Sequence, residues 1–281
     1  VTPDAVAFAA ELACLLEVSA PKPGNVSPGR HFHDTRYEDF LASAVAIGPV
    51  MGSAGERPLG ATIHAAVSAT RRVTGRNTNL GIVLLLAPLC RAALRPGAGS
   101  LRERLTAVLA ETSVADAADV YAAIRQAAPT GLGAADAQDV ADAPSVTLRE
   151  AMALAAARDS IAREYVTDFA LTFELGVPAL RRAREGGLPW SDAAVEAFLG
   201  ILGAVPDSHI ARKLGAAEAE RVTRRAAEVR ALGGTRSPAG RAALEALDAE
   251  LRDARNSRNP GTSADLTAAA LCVVILEAGW N

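Results

Sequence analysis

Apolar residues recur at three-and-four spacing along almost the whole chain, and no stretch alternates β-branched with polar residues for long. That pattern constrains the fold more than any motif does: a sheet has nothing to be built from, so the chain is expected to be all-α. Phe8, Leu12, Leu15 and Leu16 make the first apolar stripe. Thr2 is placed to cap that helix and Pro3 to occupy its first turn. Further helices are predicted over 37–47, 56–74, 79–94, 100–110, 114–127, 147–185, 191–203, 208–232, 238–254 and 263–278. Short breakers such as "GAGS", "PTGLG" and "LGGTRSP" separate them. With no fixed-period repeat, heptad run or long linker, residues 1–281 are expected to form a single multi-helix domain.

Charge and cysteine usage narrow the partners. A net charge of −3 gives no electrostatic case for nucleic acid or an anionic membrane. No signal peptide or membrane span is expected, because the greasiest run, "LGIVLLLAPL", is too short to cross a bilayer. Cys14, Cys90 and Cys272 stand alone in apolar helical stretches, as reduced core thiols of a cytoplasmic protein would. An all-α chain with this much apolar surface could also form a homodimer.

The scarce polar residues are clustered. Only Lys22 and Lys213 of the 29 basic residues are lysine, in a chain about one-fifth alanine. Three of the four histidines share their two segments. Lysine and arginine are not interchangeable at a shaped site, so a spared ammonium points to a specific need. The first segment, "PKPGNVSPGRHFHDTRYEDF" (21–40), holds Lys22, Gly24, Asn25, His33 and Asp34 in a break between two helices. The second, "PDSHIARKLG" (206–215), brings Asp207, Ser208, His209 and Lys213 into a turn and a half, although an exposed capped helix start reads the same way.

Three more segments carry chemistry. "TGRNTNLGIVLLLAPL" (74–89) sets Asn77, Thr78 and Asn79 before an apolar helix whose free amides could bind an anion, Gly75 and Gly81 allowing close approach. A polar helix start capped by Asn79 is the plainer reading. "PTGLGAADAQDV" (129–140) puts Asp136 and Asp139 three apart, either as carboxylates for Mg²⁺ or as a solvated acidic face. In "RNPGTSADLTAAALCVVILE" (258–277), Ser263 is a plausible cap. Asp265 is then expected in the first helical turn, as a cap partner or as a ligand.

Taken in order, "PKPGN", "NTNLG", the aspartate pair, "DSHIARK" and "NPGTSADLTAAAL" resemble the triphosphoribosyl-dephospho-CoA synthase family, over about residues 11 to 278. The resemblance implies an all-helical fold and a transferase that joins ATP to a hydroxyl of 3′-dephospho-CoA and expels adenine, with Mg²⁺. Three departures stand out. "NTNLG" replaces the family's "NTHKG", so Asn79 and Leu80 stand for a histidine and a lysine. "DSH" replaces "DTN", and the family's Arg-Gly-Glu element is absent around 131–140. The chain therefore resembles a divergent branch of archaea and some one-carbon-metabolising bacteria.

If that chemistry holds, the candidate substrate contacts are Lys22, Gly24, Asn25, Ser43, Asn77, Thr78, Asn79, Asp207, Ser208, His209, Lys213, Asn259, Gly261, Thr262 and Ser263. Asp136, Asp139 and Asp265 are the candidates for Mg²⁺ or for a general base towards the hydroxyl. Asp34 or His33 could fill an acid or base role instead, a neutral histidine protonating the departing adenine. The five segments are expected to converge. Two alternatives remain open: a nucleotide-dependent transferase making a one-carbon carrier cofactor of tetrahydromethanopterin or methanofuran type, and a non-catalytic nucleotide sensor.

Overall fold

A computed structural model of the chain describes residues 1–129, 133 and 137–280. Among them there is no strand, and the regular structure is fourteen α-helices with one π-helical and one 3₁₀ segment. They are α1 (Pro3–Ser19), α2 (Tyr37–Gly52), α3 (Leu59–Val73), α4 (Leu80–Leu94), α5 (Leu101–Ala110), α6 (Val114–Ala127), α7 (Leu148–Ala155), α8 (Ser160–Val166), α9 (Val177–Glu185), α10 (Trp190–Leu202), α11 (Ser208–Leu214), α12 (Ala216–Ala231), α13 (Pro238–Leu251) and α14 (Gly261–Ala278). The π-helical segment is Leu171–Gly176 and the 3₁₀ turn Gly234–Arg236.

Contacts divide the chain into two compact units. The first holds residues 1–15, 38–170 and 272–281, and the second residues 16–37 and 171–271.

In the first unit α3 packs on α6, and α4 on α3, α5 and α8. A Cβ at Gly60 would stand 2.4 Å from the Asp116 carbonyl oxygen, so only glycine admits this crossing of α3 and α6. The Gly60 amide donates to Asp116 Oδ1 there at 2.7 Å. Nearly every residue of α4 is buried, as its all-round apolar sequence requires. Capping boxes at Ser100–Glu103, Ser113–Asp116 and Thr147–Glu150 fix the starts of α5, α6 and α7. The three thiols are all buried, and the neighbouring Cys90, followed by burial, pushes the Cys272 thiol well above its usual range. Such thiols are inert.

In the second unit α10 packs on α9 and α12, α11 lies on α12, and α13 runs against α12 and the 3₁₀ turn.

The start of α1 matches expectation, with the Ala5 amide donating to Thr2 Oγ1 at 3.2 Å. Its expected apolar stripe is not the buried face: Phe8 is exposed and Leu12, Leu15 and Leu16 are partly exposed, because the small residues Ala9, Ala10 and Ala13 with Val6 and Cys14 face the core. Two predicted helices are broken. The stretch 147–185 becomes α7, α8, the π-helical segment and α9. Asp159 caps a fresh start at α8, and Asp168 and Phe169 follow that helix with φ of 51° and 60°. The stretch 208–232 divides at Gly215, whose φ of 90° ends α11. α14 is long and apolar enough to cross a membrane, at 18 residues and mean hydropathy 1.5, whereas the sequence reading saw no such run; most of it is buried within the fold.

Candidate active site

The second unit brings together three of the five segments, and buried carboxylates do the joining. Asp207 precedes α11 and is 2% exposed. Its Oδ1 accepts the His209 and Ile210 amides at 2.9 and 3.1 Å, capping α11. Its Oδ2 accepts the Ser263 amide at 2.7 Å and the Ser263 hydroxyl at 2.8 Å, inside the first turn of α14. One side chain therefore ties two helix starts together. Burial raises its pKa, while the four hydrogen bonds act in the opposite direction. Both oxygens are engaged, so Asp207 is placed as a frame rather than as a substrate contact. Beside it the Ser208 and Thr262 hydroxyls pair at 3.0 Å.

This geometry corrects the reading of "NPGTSADL". Helix α14 begins at Gly261, so Ser263 is not its cap and Asp265 stands in the second turn, partly exposed.

The 20–30 loop is held by a carboxylate that the sequence reading missed. Asp248 of α13 accepts the Gly24 amide on Oδ1 at 2.8 Å. Its Oδ2 accepts Arg30 at 3.0 Å and Arg252 at 2.8 Å. Arg252 also donates to the Asn25 carbonyl at 2.7 Å. Gly24 has φ +74°, and a Cβ there would lie 2.9 Å from Leu251 Cβ and 3.1 Å from Pro260 Cδ. The glycine of "PKPGN" is thus needed twice, by backbone and by contact with the "NPG" turn.

The two lysines separate in role. Lys22 is fully buried, pairs with Glu17 at 2.8 Å and donates to the carbonyls of Glu17 and Ala20. Its three protons are spent on Glu17, in the last turn of α1, and on Ala20, which places it as a strut and not as a cation facing a phosphate. Asn25 is likewise buried, donating to the Pro23 carbonyl at 3.2 Å. Lys213 is different. It is half-buried and makes no hydrogen bond or ion pair with a described residue. Burial and then Arg212 lower its pKa, against the pull of Asp253, Asp207 and Asp34.

One turn before Lys213, the His209 ring packs on α14 so closely that a Cβ at Gly261 would meet its Nδ1 at 2.4 Å. Burial, then Lys213 and Arg212, pull the His209 pKa down to about 3, so the ring is neutral at physiological pH. His33 and Asp34 are exposed, their Nδ1 and Oδ1 4.0 Å apart. The Asn256 amide lies 3.1 Å from His33 Nδ1. Asn259 carries a buried Oδ1 that has no hydrogen-bond partner.

The remaining candidates lie in the first unit. Ser43 and Thr78 are buried with their hydroxyls 2.5 Å apart. Thr74 donates to Asp39 Oδ1 at 3.1 Å. Asn77 Oδ1 accepts the Leu80 amide at 3.2 Å. Asn79 stands at the start of α4 and accepts from Thr70 at 3.0 Å. Asp139 closes a local turn by accepting the Ala141 amide at 2.8 Å. Asp136 lies outside the described residues. Among those residues no three His, Cys, Asp or Glu side chains gather as a metal cage would require.

Comparison with known proteins gives a consistent answer. The family model for ATP:dephospho-CoA triphosphoribosyl transferase (CitG) matches residues 3–281. The 2-(5″-triphosphoribosyl)-3′-dephosphocoenzyme-A synthase of Klebsiella pneumoniae is 37% identical over 97 residues, 34% of each chain. A Pseudomonas fluorescens protein assigned the same name is 32% identical over 111 residues, 40% of this chain and 38% of that one. The matched segments thus span well under half of these relatives. A crystal structure of an Archaeoglobus fulgidus protein, assigned as a triphosphoribosyl-dephospho-CoA synthase, superposes with a TM-score of 0.67 at 28% identity, covering 85% of this chain and all of that one. The chain belongs to the ATP:dephospho-CoA triphosphoribosyl transferase family.

Proposed function

We propose that the protein transfers the triphosphoribosyl group of ATP to a hydroxyl of 3′-dephospho-CoA, releasing adenine. The observation that carries the reading is Lys213, the one lysine left without a direct partner among the described residues, half-buried and next to the "DSH" segment that stands where the family has "DTN". An ammonium so placed has gone partly without water and gains most from an anionic substrate group.

In this reaction the bond between ribose C1′ and adenine breaks as the acceptor oxygen bonds to C1′. The hydroxyl proton leaves to a base, and adenine departs with a proton. Asp34, exposed and close enough to act on Lys213, is the base candidate in this unit. His209 is held neutral and cannot supply adenine's proton near pH 7, whereas it can accept or donate one hydrogen bond to a neutral substrate group. His33, beside Asp34, is the histidine suited to the acid role. Mg²⁺ enters with ATP as part of the substrate. It needs only one or two carboxylates besides phosphate and water, which Asp265 can offer without a prebuilt cage.

The test is incubation with MgATP and 3′-dephospho-CoA, followed by mass spectrometry. Free adenine with the coupled product is expected. Adenine without coupled product would move the reading to another acceptor, such as a pterin. No adenine with either acceptor would refute the transferase reading.

A further inference from the structure

We propose that the N-terminus of α4, in the first unit, is a binding site for a phosphoryl oxyanion, with the side-chain amide of Asn79 as its central donor. Three observations carry it. Asn79 is 6% exposed, and its Nδ2 is buried with no hydrogen-bond partner. A buried amide donor left unpaired costs free energy, so it calls for an acceptor.

Second, the helix that starts beside it is fifteen residues long, and the Asn79 side chain at its start caps none of its amides. Asn77 takes the Leu80 amide, and Val83 is the first residue to bond back, to Asn79. That leaves the amides of Gly81 and Ile82 at the positive end of the helix dipole. Gly81 is partly exposed and has no side chain to cover its amide.

Third, residues 71–81 contain Arg71, Arg72 and Arg76 but no carboxylate. All three arginines are exposed, and Arg76 has no ion-pair partner among the described residues. The nearest acid in the hydrogen-bond network, Asp39, is turned to the Thr74 hydroxyl. Donors from a side chain, from backbone and from a cationic rim thus share one end of α4, and that set fits a phosphate ester or the end of a polyphosphate.

The inference takes from the proposed reaction only its choice of phosphate-bearing probes, and its test needs no turnover. The backbone amide of Gly81 and the side-chain amide of Asn79 are followed by NMR while inorganic tripolyphosphate is titrated in, and separately 3′-dephospho-CoA. Movement of both signals is expected with at least one probe, and the probe that moves them at lower concentration identifies which phosphate occupies the site.

Asn79→Asp is the decisive variant. It keeps an oxygen for the Thr70 hydroxyl and supplies a favourable helix cap, so the melting temperature should not fall. It also puts a negative charge where the anion would sit, and affinity read at the Gly81 amide, the signal that this variant keeps, should drop at least tenfold. If neither probe moves the two amides, or if Asn79→Asp binds as the parent does, the site does not exist, whatever the adenine assay shows.

Discussion

Replacing Asp207 with Asn separates a frame from a substrate contact. The amide is nearly isosteric and retains one oxygen, which can still accept the His209 and Ile210 amides. Its nitrogen cannot accept the Ser263 amide or hydroxyl, so the two bonds now made at 2.7 and 2.8 Å are lost, and two N–H donors face each other in the interior. Hydrogen bonds to a charged acceptor contribute about 1.5–3 kcal/mol each, and the serine hydroxyl can turn to soften the loss. The net cost should be about 3 kcal/mol. For a chain of this size that lowers the melting temperature by about 6–12 °C. Because the chain forms two units, the better assay is hydrogen exchange: the Ser263 amide should lose protection together with the first turn of α14, while the α3 and α6 amides keep theirs. Stability within about 0.5 kcal/mol of the parent, combined with loss of adenine release, would refute the frame assignment and make Asp207 a substrate contact.

Four further outcomes follow from the same structure. Lys22→Met should cost about 3–5 kcal/mol in denaturant unfolding, because Glu17 is left buried and unpaired; adding Glu17→Leu should recover most of it, and failure to recover would show that Lys22 does more than pair. Gly24→Ala forces a left-handed φ on a residue already 2.9 Å from Leu251 Cβ, so a loss of about 2 kcal/mol or more is expected, and a neutral result would mean that the loop shifts freely. The folded pKa of His209, about 3, lies below its unfolded value near 6.5, so unfolding takes up a proton between them. Its contribution is therefore complete above pH 6.5 and is lost as pH falls towards 3, about 2–4 kcal/mol in all, and His209→Gln should flatten that slope in urea titrations. Lys213→Ala should raise the KM for MgATP about ten- to a hundredfold and leave unfolding unchanged; an unaltered KM would remove the ammonium from the anion site.

The helical fold was readable because three-and-four periodicity is a local property, but the buried face was not always readable from it. In α1 the large residues Phe8, Leu12, Leu15 and Leu16 are exposed or partly exposed, and Val6, Ala9, Ala10, Ala13 and Cys14 are buried instead. What also failed was continuity within long apolar stretches: the breaks after Val166 and at Gly215 come from left-handed backbone, which alanine-rich periodicity does not encode. The site divides along the same line. Gly24, Ser208, His209, Gly261 and Ser263 were singled out by their company in polar breaks, and all five lie in the second unit. Scarcity marked both lysines alike, but scarcity cannot tell a strut from a ligand contact, since a shaped site of either kind can need a compact ammonium. The partner decides the role, and Glu17 looks in sequence like any solvated residue of an amphipathic helix. Asp248 was invisible for the same cause: in "EALDAELR" it reads as one more charge on a wet face, and only the folded chain brings Gly24, Arg30 and Arg252 to it from afar. Polar residues that bind substrate and polar residues that hold the binding loop are thus equally necessary and differ only in whether their hydrogen bonds close within the protein. By that criterion Lys22, Asp207 and Asp248 are closed, and Lys213 and Asn79 are open. The open groups are where mutation should change chemistry while leaving the fold intact.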